Sequence, residues 1–140
     1  MAVILKAGMV LLSLLAVHVA LSLSQPPLPG APQNADVHQK DVKKALNVAV
    51  REYNKQDQGS FLSKVSKVIT AQKQVVSGMK YIFRVRMVYT VCRKDENQSV
   101  KRGCAINPDP QLAKPTICNF EVWSQPWLNK PPQVKISCGH

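Results

Sequence analysis

The spacing of apolar residues changes repeatedly along this 140-residue chain, and each spacing predicts an element. Met9 to Leu23 is an apolar run relieved only by serines and His18. Val42, Ala45, Leu46, Ala49, Val50 and Tyr53 then recur at three- and four-residue steps, one stripe down a helix. Asn34 or Asp36 is placed to cap its start. After a polar break from Gln56 to Gly59, Phe61 to Thr70 is rich in β-branched residues. Tyr81 to Val91 alternates, with Tyr81, Phe83, Val85, Met87, Tyr89 and Val91 on one face and Arg84, Arg86 and Thr90 on the other. Period two over that length is a strand with one wet face. Past Pro108 and Pro110, Ile117 to Trp123 and Gln133 to Ser137 read as two more strands, joined by Ser124 to Lys130. One helix with several antiparallel strands is an α+β domain, the helix covering the apolar face of the sheet.

The first apolar run follows Lys6 and is broken by Pro26 and Pro27, and Ser22 and Ser24 are the small residues three and one positions before a cut. That is the anatomy of a secretory signal peptide; a membrane anchor wants about 20 apolar residues and a proper far flank. Residues 1–24 are therefore read as a signal peptide, and 25–140 as a single secreted domain of about 116 residues. Pro26, Pro27, Pro29 and Pro32 make 25–33 an extended N-terminal arm outside any sheet or helix.

Nineteen lysines and arginines face 8 acids, a formal charge of +11; without Lys6 the balance is 18 against 8, or +10. Such a charge draws acidic partners, glycosaminoglycans or anionic membranes, at long range without setting the fold. No aromatic-rich nucleic-acid motif accompanies it, which excludes nucleic acid as the expected partner. Lys40, Lys43, Lys44 and Arg51 give the helix a basic back, but its apolar stripe is assigned to the core rather than to a membrane.

Cys92, Cys104, Cys118 and Cys138 are an even set in a secreted chain and read as disulfides. Three pairings exist; Cys92 with Cys104 and Cys118 with Cys138 would each close a short loop, a constraint contributing about 3 kcal/mol per bridge. There is no CxxC spacing, and His38 and His140 stand far apart, so neither a metal nor a cofactor is expected. Without GxSxG, a free cysteine to pair with histidine, or an acid–base constellation, the chain does not read as an enzyme. Asn97-Gln98-Ser99 is an N-glycosylation sequon between Cys92 and Cys104.

Two connections are unusual. Gln74-Val75-Val76-Ser77-Gly78 is a hairpin loop with apolar side chains that a buried turn would not need, and Gly78 can take the positive φ such turns use. Pro126-Trp127 sets a tryptophan at a proline-held tip, where it can anchor a partner, whereas Trp123, within a strand, fits the core.

These loops, with Gly30 ahead of the helix, the helix end Glu52-Tyr53-Asn54-Lys55 and four cysteines in the C-terminal half, together resemble a secreted type 2 cystatin over the whole mature chain. The resemblance implies a five-stranded antiparallel sheet wrapped around one helix, and reversible, tight inhibition of papain-like cysteine proteases such as cathepsins. In that scheme Gly30 lets the arm bend, Leu28 and Pro29 fill non-primed subsites, Gln74, Val75, Val76, Ser77 and Gly78 form the first loop, and Pro126 and Trp127 the second. The three parts line up as a wedge that presents no peptide carbonyl to the catalytic cysteine. Pro29 is cyclic where the family's strong inhibitors typically carry a branched apolar residue, which implies an arm of lesser weight against demanding subsites. Members that also block legumain carry an asparagine in the loop after the helix; alignment puts Gln58 there, so that second activity is not implied. The family further implies a monomer that can exchange its helix hairpin into a domain-swapped dimer, with the first loop as hinge. The rival reading is a protein on the same fold without inhibition: a cathelicidin-like pro-segment, a cationic host-defence protein, or a membrane- or glycosaminoglycan-binding one. A pro-segment of that kind should lack the two loops and carry a cationic peptide after its last cysteine, where this sequence has only Gly139 and His140 after Cys138. No role for Gln74 itself emerges from the residues.

Overall fold

The computed structural model describes residues 30–96 and 103–139. The expected signal peptide, Leu28, Pro29, Asn97 and His140 lie outside those residues. Helix α1 is Lys40–Gln56. Five antiparallel strands, β1 (Gln33–Asn34), β2 (Phe61–Val76), β3 (Gly78–Arg93), β4 (Thr116–Ser124) and β5 (Gln133–Gly139), form one sheet in chain order. The α+β architecture and the helix stripe are as the sequence predicts. Val42, Ala45 and Ala49 are buried against Phe83, Val85, Met87, Phe120 and Val122, with Leu46, Val50 and Tyr53 partly buried beside them.

The start of the helix differs from expectation. Its N-cap is Gln39, which makes no side-chain capping bond; Asn34 lies in β1, and Asp36 accepts from the His38 N–H at 2.8 Å, an Asx turn upstream of the helix. The arm is not wholly outside the sheet either. Once Pro32 is passed the backbone donors return, and Gln33 and Asn34 pair with Lys73 and Gln72 on the open edge of β2.

Simple alternation also fails on β2, because register shifts fall between Val65 and Lys67 and between Val68 and Thr70. Each inserts a residue, so Val65, Val68 and Ala71 all pack inward at three-residue spacing. On β3 the odd residues face α1 as predicted, but only as far as the helix reaches. Val91 is exposed beyond its end, while Thr90, expected on the wet face, is fully buried. The cause is the segment 103–113, which folds over that end: Thr90 bridges Ile106, and Cys92 is bonded to Cys104. Within the segment a short helix α2, Pro110–Ala113, is capped by Asp109, whose carboxylate accepts from the Gln111 N–H at 2.9 Å. The second disulfide joins Cys118 and Cys138, direct cross-strand partners on β4 and β5.

Polar ties hold both ends of α1 to the sheet. The Asn54 side chain brackets Ser63, accepting from its N–H at 2.8 Å and donating to its carbonyl at 3.0 Å. The Tyr81 hydroxyl donates to Asp41 in the first turn at 2.9 Å, and that of Tyr89 to Asp57 just past the last turn at 2.8 Å. Burial first, then the adjacent carboxylate, pushes both phenols up from 10.0 to about 12, and the Tyr81 bond holds the Asp41 carboxyl below its usual range.

A folded-state pKa raised above the unfolded one means that the two phenols stabilise the fold fully below pH 10.0 and lose that contribution as pH rises through about 12. Thermal melts should therefore show stability falling across this alkaline window, and the double substitution Tyr81→Phe, Tyr89→Phe should flatten the fall while lowering stability at neutral pH. An unchanged alkaline slope would remove the tyrosines as its cause.

An apolar wedge at one end of the sheet

Three chain segments meet where β2 turns into β3. The turn is tighter than the expected five-residue loop: Gln74, Val75 and Val76 continue β2 and pair with Lys80, Met79 and Gly78, leaving Ser77 alone outside the strands. Gly78 makes this possible twice over. Its φ is +93°, and a Cβ at this position would stand 2.2 Å from the Ser124 carbonyl oxygen, far inside any permitted contact.

The second segment is Gly30, at φ +82°. The Gln74 side-chain amide donates to its carbonyl at 2.8 Å, so Gln74 fastens the end of the arm to the hairpin. Sequence reasoning found no role for Gln74 because its partner lies 44 residues away.

The third segment is the β4–β5 connection, held from beneath by Trp123. That residue is not in the core as expected. It alternates with the buried Cys118, Phe120 and Val122, which puts it on the outer face of the sheet. There its indole N–H donates to the Ser77 carbonyl at 2.8 Å, and the Lys80 ammonium sits 5.9 Å from its ring centroid. Lys80 is itself paired with Glu121 at 2.9 Å. Pro126–Leu128 forms one 3₁₀ turn, closed by the Leu128 N–H bond to Gln125 at 3.1 Å and by Asn129 at φ 52°.

Side chains of the tight turns point into solvent. Val75 is 65 % exposed, Trp127 62 % and Leu128 45 %, and Leu128 is an addition to the residues the sequence singled out. Large apolar groups held by structured turns and left in water make this end of the sheet a candidate binding surface. The end of the sheet is an apolar edge displayed from closed turns.

A family model described as "Cystatin domain" matches residues 30–127. This chain belongs to the cystatin family. Cystatins are inhibitors of cysteine proteases and not enzymes, so that class of activity and of partner comes with membership. The chain is 45 % identical over 120 residues to a cystatin of Oncorhynchus mykiss, covering 86 % of this chain and 90 % of that one. With cystatin-C of Rattus norvegicus it shares 38 % over 135 residues, covering 96 % and 95 %. Among solved structures, dimeric human cystatin F superposes with a TM-score of 0.67 at 28 % identity, covering 84 % of this chain and 93 % of that one. The two disulfides of this cystatin fit an extracellular protein.

Gly78→Ala should test the double demand on that glycine. The positive φ and the contact with Ser124 predict a loss of about 2 kcal/mol or more in denaturant unfolding, with Trp123 fluorescence changing as its bond to Ser77 is disturbed. A variant as stable as the parent would show that the turn can relax without cost.

Proposed function

We propose that this cystatin is a secreted, reversible, tight-binding inhibitor of papain-like cysteine proteases of the cathepsin type, and that the apolar end of its sheet is the surface that enters their active-site cleft. The observation that carries this reading is the convergence of Gly30, Ser77 and Trp127 at one end, each tied to its neighbour by a named hydrogen bond or turn. Val75, Val76, Trp127 and Leu128 supply apolar contact area, and Pro126 and Gly78 supply shape. Leu28 and Pro29, immediately ahead of Gly30, occupy the non-primed subsites, and the arm turns at Gly30 before a peptide carbonyl reaches the catalytic cysteine.

Preorganisation favours tight binding here. Side chains displayed from strands and closed turns lose little freedom on docking, so more of the buried area appears as affinity. The excess of positive charge raises the rate of encounter with acidic enzymes rather than the strength of the docked contact. Gln58, exposed in the turn after α1, stands where legumain-blocking relatives carry asparagine, and the proposal is confined to papain-like enzymes.

Titration of papain with the folded chain should abolish activity at one equivalent; full activity in the presence of excess folded inhibitor would refute the reading. Trp127→Ala should weaken inhibition by about 2 kcal/mol, roughly thirty-fold in Ki. Removal of the residues up to and including Pro29 should cost affinity strongly against some papain-like enzymes and hardly against others. Gln74→Ala should reproduce part of that loss in the full chain and add little once the arm is gone; equal effects in both backgrounds would separate Gln74 from the arm.

A further inference from the structure

The outer face of the sheet, opposite α1, carries a concentration of charge that the wedge does not use. Cross-strand register places Lys67 opposite Arg86, and Arg84 opposite Asn119, which in turn faces Ser137. Lys135 stands beside Glu121 on β5, and Lys64 and Lys80 flank the rows at either end of β2 and β3. Strands β2, β3 and β5 contain no acidic residue, and the one acid of β4, Glu121, is engaged by Lys80. Lys64 donates to the Cys104 carbonyl and Arg86 to Ser66. Lys67, Arg84 and Lys135 are exposed and make no side-chain hydrogen bond or ion pair with another described residue.

Like charges opposite one another across a strand pair repel and weaken the sheet. Lys67 and Arg86 are held in that arrangement with no acid nearby to relieve it, a pattern that complements an external anion. The rows are regular: about 4.8 Å between strands and about 6.7 Å between alternate residues of one strand, across a face roughly 14 Å wide. A single linear chain with frequent negative groups matches that geometry.

We propose that this face is a docking surface for a linear sulfated polysaccharide of the heparan sulfate type. A bilayer is the poorer match, because Ile69 is the one exposed large apolar side chain on this stretch of β2 and gives little to insert between acyl chains. Single-stranded nucleic acid would want aromatic platforms among the cations, whereas Trp123 is already held between Lys80 and Ser77. Two disulfides fit a chain that works outside the cell, where sulfated polysaccharides are abundant. Arg84 lies six residues along β3 from Gly78, about 20 Å from the turn at the usual rise per residue, so polysaccharide and protease can be held at once.

The full disulfide-bonded chain should bind immobilised heparin and be released by salt. Lys67→Ala, Arg84→Ala and Lys135→Ala combined should lower the eluting salt concentration and raise Kd for a heparin oligosaccharide by about tenfold or more. Lys43→Ala, Lys44→Ala and Arg51→Ala combined, which removes the same charge from the helix back, should change it less than about twofold. Equal losses from the two sets would overturn the proposal, since net charge alone would then explain retention. Retention that is face-dependent on phosphatidylserine vesicles or single-stranded DNA but absent on heparin would overturn the assignment to a sulfated sugar. Melting temperature and papain inhibition of each variant report folding separately, and Arg84→Gln alone carries the test if the triple variant does not fold.

Discussion

One helix has to fill the concave side of a five-stranded sheet, and how closely it can approach decides most of the remaining structure. Ala45 and Ala49, both buried, let the α1 backbone come down onto Phe83 and Phe120, while Val42 and Leu46 fill the space on either side. Burial of this kind has no preferred direction along the helix axis. The polar ties supply that direction, with Tyr81 on Asp41 at one end and Asn54 on Ser63 at the other. Strands of sixteen residues, β2 and β3, outrun the helix at both ends. One overhang is covered by the segment after Cys104; the other is left bare and forms the wedge.

Bare strand ends usually fray, and here three contacts prevent it. Gln74 holds Gly30, Trp123 holds Ser77, and the missing side chain at Gly78 lets the two hairpins close onto each other. None of these contacts is with a partner. They are the supports beneath Val75, Trp127 and Leu128, the side chains left in water, and a binding surface is only as sharp as the supports that fix its rotamers and backbone. Structural residues and displayed residues alternate along the same short stretches, so substitutions at adjacent positions act through different physics: lost contact at Val75, lost positioning at Gln74.

Local patterns in the sequence were sufficient for the helix stripe, the long alternating strand β3, both unusual turns and the local disulfide pairing. What they could not reveal depended on contacts between distant segments. Thr90 looks like a wet-face residue until the segment after Cys104 is known to lie on it. Trp123 looks like core by hydrophobicity, yet alternation with Phe120 and Val122 puts it on the outer face, a parity legible in the sequence and a better guide here than residue type. Gln74 carries no local signal at all, since its partner is the backbone of a glycine on another segment. The edge strand β1 is too short for periodicity to register, and the cap expected at Asp36 was displaced because that carboxylate is used two residues ahead in its own turn.

The register shifts of β2 after Val65 and Val68 bear on more than which residues face inward. A plain alternating strand can slide by two residues against its neighbour and still keep its apolar side chains on the same face, so its position along the sheet is weakly determined. With Val65, Val68 and Ala71 at three-residue intervals, no such slide preserves the inward set. Strand β2 therefore works as a ruler with one readable mark. Its length from the helix junction to Ser77 is metered in steps of about 3.3 Å, and the height at which the hairpin stands beside Gly30 and Trp127 is set by bulges some distance from the exposed side chains it positions.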